Sequence, residues 1–274
     1  MKIKTQIQHL LTYLNQFAPP SLAEDWDNIG LQLGSLEDEI RGILIALDVT
    51  ESVLEEAKRL KTNVLITHHP LFFKAIKSLD DSKSVQRLAK MAIKQDLNIL
   101  SFHTNLDATL QGLNDLLAER LKLKFIHPFI PSRDPKIPYA GLGRIGNIQK
   151  MNFNHFLTHV SQSLHLKHFR YVGDLRASIS TVAVMTGSGG DFFWEAKRKK
   201  ADVLVTGDVK YHSALDSLAE EICLVDIGHF AGEIGMTTLM GAQIRNFLKK
   251  QKVLVPVFET KCQRDPFEFF GGME

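Results

Sequence analysis

Short apolar runs alternate with stretches of helical periodicity along the first half of the chain. Residues 43–47, 64–66 and 97–102 form apolar runs of strand length, and segments with apolar residues every three or four positions lie between and after them. Thr50 is the expected N-cap of a helix through Leu60, and a further periodic helix is expected after Asp107, through Leu121. This alternation predicts βαβ units and a largely parallel sheet.

The chain opens with a segment whose apolar residues recur at helical spacing. It predicts an amphipathic helix that ends before Pro19 and Pro20 and carries its apolar face on Ile3, Ile7, Leu10, Leu11 and Leu14.

The second half of the sequence repeats the first. Eight of the twelve residues at 56–67 are identical to those at 195–206, and each segment has an apolar strand upstream and a polar cluster downstream. We therefore expect an α/β fold of two related units with mostly parallel or mixed sheets, flanked by helices. The expected units are 1–127 and 128–274, with the C-terminal segment packing back on the first. The Pro- and Gly-rich stretch 127–144 indicates a connection between them or a sheet edge.

Histidines and acids stand where the predicted strands end. His68 and His69 close one strand, and Pro70 prevents its continuation. Ligands of open α/β sheets bind beyond the carboxyl ends of the strands. The candidate metal ligands are His68, His69, His103, Asp107, His229 and Glu233. Imidazoles with carboxylates suit Zn, Mn, Fe, Co or Ni, and a set of this size suits two divalent ions better than one. We expect a dinuclear site between the two units.

Each candidate has a purely structural alternative. One of His68 and His69 could be a core histidine and the other a surface residue, and Asp107 could be a helix N-cap. His229 directly follows Gly228, and Gly228 with Gly232 suggests close packing as the alternative to a ligand role. His103 could be a neighbour that orients a ligand rather than a ligand itself.

Two further clusters are candidates for binding and proton transfer. Gly187, Ser188 and Gly189 follow a strand and precede a helix, so their backbone N–H groups could hold an anion, although glycine turns are common without one. Asp208 or His212 could act as general acid or base. The histidines around the helix predicted near 153–166 have no nearby carboxylates and are expected to be surface residues, namely His155, His159, His165 and His168.

Composition narrows the class of protein. The chain has 274 residues and is 44% hydrophobic and 23% charged. Its formal net charge of +2 is close to balanced, which argues against nucleic-acid binding. Cys223 and Cys262 are expected to be reduced thiols. No signal-peptide pattern and no membrane-length apolar run occur, so we expect a soluble, cytoplasmic protein.

Four blocks together resemble the NGG-interacting-factor-three-like family, whose members are usually called GTP cyclohydrolase I type-two homologues. They are LITHHP at 65–70, FHTNLD at 102–107, VTGDVKYH at 205–212 and GHFAGE at 228–233, and segments 24–34 and 141–144 fit as well. The resemblance implies two α/β units, a dinuclear divalent-metal site and a toroidal homohexamer. It places the ligands on His68, His69, Asp107, His229 and Glu233, with His103 close by. It also implies the compact form of the family, without a large inserted domain.

The leading hypothesis is a divalent-metal-dependent hydrolase that acts on a nucleotide-like or otherwise anionic small molecule. The alternative is a non-enzymatic metal-binding hexamer that delivers metal or regulates other proteins. The sequence favours this alternative in one respect, because the chain contains candidate metal ligands but no unmistakable nucleophile.

Overall fold

The structure is a computed structural model that describes residues 4–270, and the chain forms two compact units. Unit 1 comprises the residues up to Thr109 together with Met236–Gln263, and unit 2 comprises Leu110–Gly235 together with the residues from Arg264 onward. The division into domains 1–127 and 128–274 stays a prediction, because compactness alone does not measure independent folding.

Unit 1 contains a five-stranded sheet with the order β1-β4-β3-β2-β11. Strands β2, β3, β4 and β11 are parallel, and β1 is antiparallel to β4 at the edge. Every residue of β2, β3 and β4 is buried, as expected for parallel strands covered on both faces. The strands are β1 Gly30–Leu33, β2 Ile43–Ala46, β3 Val64–Thr67, β4 Asn98–Ser101 and β11 Val257–Glu259.

The helices of unit 1 match the apolar periodicity closely. Thr50 caps α2 as predicted, because its hydroxyl accepts from the Val53 backbone N–H at 3.2 Å. The predicted opening helix is confirmed from Ile7, and Ile3 lies outside the described residues. The helices are α1 Ile7–Phe17, α2 Glu51–Leu60, α3 Ser84–Lys94, α4 Thr104–Ala108 and α10 Met236–Gln251, with a 3-10 turn at Pro20–Leu22.

One predicted helix is wrong in its extent. Instead of a continuous helix after Asp107, the chain forms α4 and then α5, which begins at Leu113. Gln111 between them has φ 56°, a left-handed conformation that cannot continue a right-handed helix. The hydroxyl of Thr109 donates to the Phe17 carbonyl, which fixes the break in place.

Unit 2 contains a six-stranded mixed sheet with the order β5-β6-β8-β9-β10-β7. Strands β8, β9 and β10 are parallel, whereas β5, β6 and β8 are joined antiparallel, as are β7 and β10. The strands are β5 Lys124–Pro131, β6 Gly141–Asn152, β7 Arg170–Val172, β8 Ser178–Ser188, β9 Val203–Gly207 and β10 Cys223–Asp226.

The Pro-rich stretch lies at the edge of this second sheet. Pro128 and Pro131 belong to β5, an edge strand, where the missing N–H of proline is tolerated. The helices of unit 2 are α5 Leu113–Arg120, α6 Phe153–Leu164, α7 Phe193–Arg198, α8 Tyr211–Ala219 and α9 His229–Glu233, with a 3-10 turn at Gly190–Phe192.

The internal repeat is a repeat of structure. The series β2-α2-β3-α3-β4-α4 of unit 1 has its counterpart in β8-α7-β9-α8-β10-α9 of unit 2, with three parallel strands in each. Even the helix ends agree, since Lys61 and Lys200 occupy the same repeat position with φ of 56° and 60°. The predicted α/β fold of two related units is confirmed.

Candidate metal site

Three histidines of unit 1 converge at the ends of β3 and β4. Because Thr67 and Ser101 are register partners in these parallel strands, the residues that follow them emerge at one edge of the sheet. The rings of His68, His69 and His103 lie with centroids 5.1 to 5.4 Å apart. One nitrogen of each lies within 4.8 Å of the others, close enough to hold one metal ion.

His68 is completely buried and oriented by its surroundings. Its Nδ1 donates to the Phe102 carbonyl at 2.8 Å, so Nε2 is the atom that faces the cluster. The Asp107 Oδ2 lies 3.7 Å from Nε2. Asp107 lies inside α4, and the N-cap of the following helix, α5, is Gly112, so the alternative of Asp107 as an N-cap is wrong.

The other two histidines of unit 1 are held by carboxylates. His69 donates from Nδ1 to Asp48 at 2.7 Å, and His103 donates from Nδ1 to Asp27 at 2.8 Å. Burial alone would raise the pKa of Asp27, but hydrogen bonds from His103 and Thr104 lower it to about 2. Asp27 is therefore a fixed anion that holds the tautomer of His103.

Unit 2 contributes one histidine and one buried acid at the end of β10. His229 begins α9, and its Nε2 lies 2.9 Å from Oε2 of Glu233, one helical turn later. The Nδ1 of His229 donates to Asp208 at 2.7 Å. When Nδ1 of a neutral imidazole carries the proton, Nε2 has only a lone pair. Because the lone pair of Nε2 and the Glu233 carboxylate oxygen repel each other, a proton or a cation must lie between these two atoms.

Gly187 of β8 makes room for this acid. The residue has φ +66°, and a Cβ there would lie 2.4 Å from Oε1 of Glu233. The backbone N–H of Gly189 donates to the Thr206 hydroxyl at 2.9 Å. Both glycines thus have close-packing roles, and an anion subsite at Gly187, Ser188 and Gly189 stays a prediction.

The four histidines share one pattern that fits a metal. Each uses Nδ1 to donate to an oxygen, so Nε2 is the nitrogen that would bind a metal; the acceptors are Phe102, Asp48, Asp27 and Asp208. Metal-ligating histidines commonly bind such an oxygen through the other ring nitrogen. Imidazole nitrogens and carboxylate oxygens, the latter from Asp107 in unit 1 and Glu233 in unit 2, are donors that suit a divalent transition metal.

The two candidates for proton transfer lie in different surroundings. Asp208, with φ 53°, orients His229. His212 lies on the exposed side of α8, edge-on to Tyr211 with ring centroids 5.4 Å apart. Their catalytic roles stay predictions. The helix predicted near 153–166 is α6, where His155 is exposed and His159 donates to the Leu121 carbonyl.

Sequence reasoning did not connect Asp48 and Asp27 to the histidines. Asp48 was identifiable, since it follows β2, the parallel neighbour of the strand that His69 follows. Asp27 has no such signal, because its loop lies 76 residues from His103.

The fold and these side chains define a class of protein: two repeated α/β units whose strand ends carry histidines and acids suited to a metal. The chain belongs to the Duf34/NIF3 (NGG1p interacting factor 3) family, whose model matches residues 5–266. The resemblance predicted from the sequence is confirmed.

Similar proteins cover almost the whole chain. A Clostridium perfringens protein named GTP cyclohydrolase 1 type 2 homolog is 36% identical over 265 residues, which cover 96% of this chain and 99% of the relative. The crystal structure of Staphylococcus aureus hypothetical protein SA1388 matches with a TM-score of 0.89 and 30% identity, covering 97% of this chain and 99% of that one. The Bacillus cereus protein related to NIF3 matches with a TM-score of 0.90 and 27% identity, with the same coverage.

The described helices of residues 4–270 include none that is both long enough and apolar enough to span a membrane.

Proposed function

We propose that the chain is a divalent-metal-dependent hydrolase that acts on a nucleotide-like or otherwise anionic small molecule. The observation that carries the proposal is the common orientation of the four histidines, each with Nδ1 bound to an oxygen. The name of the Clostridium relative, a GTP cyclohydrolase 1 type 2 homolog, supports a nucleotide-like substrate.

The proposed ligands of two divalent ions are His68, His69, Asp107, His229 and Glu233, with His103 as an additional member. The units contribute unequal shares, because the position equivalent to His68 and His69 in unit 2 is occupied by Gly207 and Asp208. We propose that the two shares complete one site. Two ions sharing carboxylates would use this set fully, and Zn, Fe, Mn, Co or Ni would suit it.

The residues of the chain would hold the metal ions and orient the imidazoles, and the metal would supply the activation of water and of the scissile group. When bound, divalent ions polarise the scissile group and make water more acidic. Asp48 and Asp208 hold the Nδ1 protons of His69 and His229, so each imidazole presents Nε2. In this proposal His212 or Asp208 handles a proton of the reaction, and the amides at 187–189 receive an anionic group.

Metal content and turnover test the proposal together. Protein loaded with Zn, Mn or Fe would be screened against nucleotides, pterin precursors and phosphoesters. His69→Ala and Glu233→Ala should lower both bound metal and turnover by at least about tenfold, whereas the exposed His155→Ala should change neither. Turnover that survives His69→Ala and Glu233→Ala would exclude the proposed site.

A non-enzymatic role in metal delivery or regulation is the second candidate. One observation favours it: Asp48 and Asp208, the acids nearest to the histidines, are already engaged in orienting them. Pull-downs with metal-free and metal-loaded protein discriminate, since a regulator should show metal-dependent partners and no turnover in the same screen.

We also propose that the chain assembles as a homohexamer. Support comes from the family resemblance and from exposed phenylalanines near the C-terminal end, Phe267, Phe269 and Phe270. Sedimentation velocity should give six times the monomer mass, and a monomer at micromolar concentration would contradict the proposal.

A further inference from the structure

An exposed aromatic pair lies directly beside the histidines of unit 1. Trp26 is 57% exposed and Phe73 is 54% exposed, and their ring centroids lie 5.5 Å apart. Trp26 lies 5.8 Å from the His103 ring, and Phe73 lies 6.2 Å from it. Single exposed aromatic residues are common, but two that contact each other and a candidate metal ligand form a distinct surface.

Hydrogen bonds hold this pair in place from both sides. On one side, the backbone N–H of Glu24 donates to the Thr104 hydroxyl at 3.0 Å, and Asp27 accepts from His103. On the other side, the Asn28 amide donates to the Phe72 carbonyl at 2.7 Å. One neighbour of each aromatic residue, Asp27 beside Trp26 and Phe72 beside Phe73, is therefore held by hydrogen bonds, although the two rings themselves are open to solvent.

An aromatic face held in solvent is suited to stack a planar ring. Tryptophan and phenylalanine bind nucleobases through their ring faces, and the contribution is tolerant of the identity of the base. Lys74 and Lys77 are exposed on the segment that follows Phe73, which suits a ligand carrying negative charge.

We propose that Trp26, with the Phe73 ring packed against it at an interplanar angle of 45°, forms a stacking platform that binds the planar heterocycle of a nucleotide-like ligand beside the histidine cluster. This inference rests on the proposed function and narrows its substrate class to molecules with an aromatic ring. Ring-less sugar phosphates and simple phosphoesters lack the group that the platform recognises.

Tryptophan fluorescence reports on the platform directly. The chain has two tryptophans, so Trp194→Phe leaves Trp26 as the sole tryptophan. Guanosine 5′-monophosphate and adenosine 5′-monophosphate should quench Trp26 saturably, whereas ribose 5-phosphate should not. Equal binding of ribose 5-phosphate and both nucleotides, or nucleotide binding that leaves Trp26 emission unchanged, would overturn the proposal.

Calorimetric titration of guanosine 5′-monophosphate separates the rings from the rest of the site. Trp26→Ala and Phe73→Ala should each weaken binding by about 5- to 150-fold, and Trp26→Tyr should restore most of it. Trp194→Ala is the matched control, because Trp194 is 52% exposed on α7 and should leave the affinity unchanged. Zinc content should be unaltered in all four variants.

The outcomes separate this proposal from the proposed function. If ring-dependent binding persists but no substrate is turned over, the hydrolase proposal is refuted and the platform proposal is supported. If Trp26→Ala retains full affinity and turnover, the platform proposal is refuted and the hydrolase proposal is supported. If Trp26→Ala changes the sedimentation of the protein but not nucleotide binding, the aromatic pair is a contact between copies of the chain and the platform is refuted.

Discussion

At the scale of residues, the positions of the protons on the histidines matter more for metal coordination than the number of histidines. Asp48, Asp27 and Asp208 each accept from an imidazole Nδ1, so the same ring nitrogen is assigned on His69, His103 and His229. A carboxylate that orients a ligand raises its basicity as well. These acids therefore prepare the histidines for coordination.

Replacement of Gly187 should impair metal binding more than folding. In Gly187→Ala the new Cβ would displace the buried carboxylate of Glu233, and zinc affinity should fall about tenfold or more. The matched control is Gly30→Ala, which has a similar φ of +84° and no atom within 4 Å of the added Cβ. Each should cost about 1 kcal/mol in urea unfolding from backbone strain. Equal zinc affinity in the two variants would contradict the role of Gly187.

The two cysteines should differ in reactivity. Burial, with smaller effects of Asp202 and Asp174, raises the pKa of Cys223 to about 11. At pH 8 about one Cys223 thiol in a thousand is ionised, so iodoacetamide should label Cys262 first in the folded protein. Mass spectrometry of Cys262→Ser should show labelling of Cys223 only after unfolding, and rapid labelling of the native variant would refute this.

At the scale of elements, the two units share a repeated fold, but their histidines at corresponding helices have different partners. His103 stands before the first residue of α4, whereas His229 is the first residue of α9. His229 consequently faces Glu233 within its helix, while His103 faces Asp27 from another loop. His103 and His229 each stand four residues before a carboxylate, but different acids orient them, Asp27 for His103 and Asp208 for His229.

Helix α2 is linked to the C-terminal part of unit 1 by a buried acid. Burial raises the pKa of Glu56, but hydrogen bonds from the Thr260 hydroxyl, Cys262 and the Lys261 backbone lower it below its ordinary value. Because the pKa of Glu56 is lower in the folded than in the unfolded chain, its ionised carboxylate stabilises the fold at any pH above the ordinary glutamate pKa. This stabilisation is lost as the pH falls through the pKa of the folded state.

Glu56→Gln should therefore be destabilising at neutral pH and nearly neutral in acid. We expect a loss of about 1–3 kcal/mol in urea unfolding at pH 7, because charge-assisted hydrogen bonds are replaced by weaker ones. The difference from wild type should shrink as the pH falls from the ordinary pKa of a glutamate towards the lowered pKa of Glu56. The adjacent exposed Glu55→Gln is the control and should be close to neutral throughout, and a pH-independent difference for Glu56→Gln would contradict the assignment.

At the scale of the whole molecule, the proposed ligands are divided between the two units. Unit 1 carries three imidazoles and Asp107, and unit 2 carries one imidazole and Glu233. In the proposed dinuclear site each unit would supply one carboxylate, so metal binding would be coupled to the folding of both units.

Metal removal should consequently lower the stability of both units. Zinc at about 100 times its Kd should stabilise the folded chain by about 2.7 kcal/mol relative to protein treated with a chelator. Calorimetric scans should show this gain in wild type and lose it in His69→Ala and in Glu233→Ala. A gain that Glu233→Ala retains would restrict the metal to unit 1.

The sequence by itself determined the α/β class, the repeat and the strand ends that carry the histidines. These follow from local periodicity and from Pro70 and Thr50, which act through the backbone of their own segments. Only the tertiary structure decided the partners of the imidazoles, the break before α5 and the exposure of Trp26 beside His103. The physical reason is that these features depend on side chains brought together from distant loops, which no local pattern of hydrophobic and polar positions records.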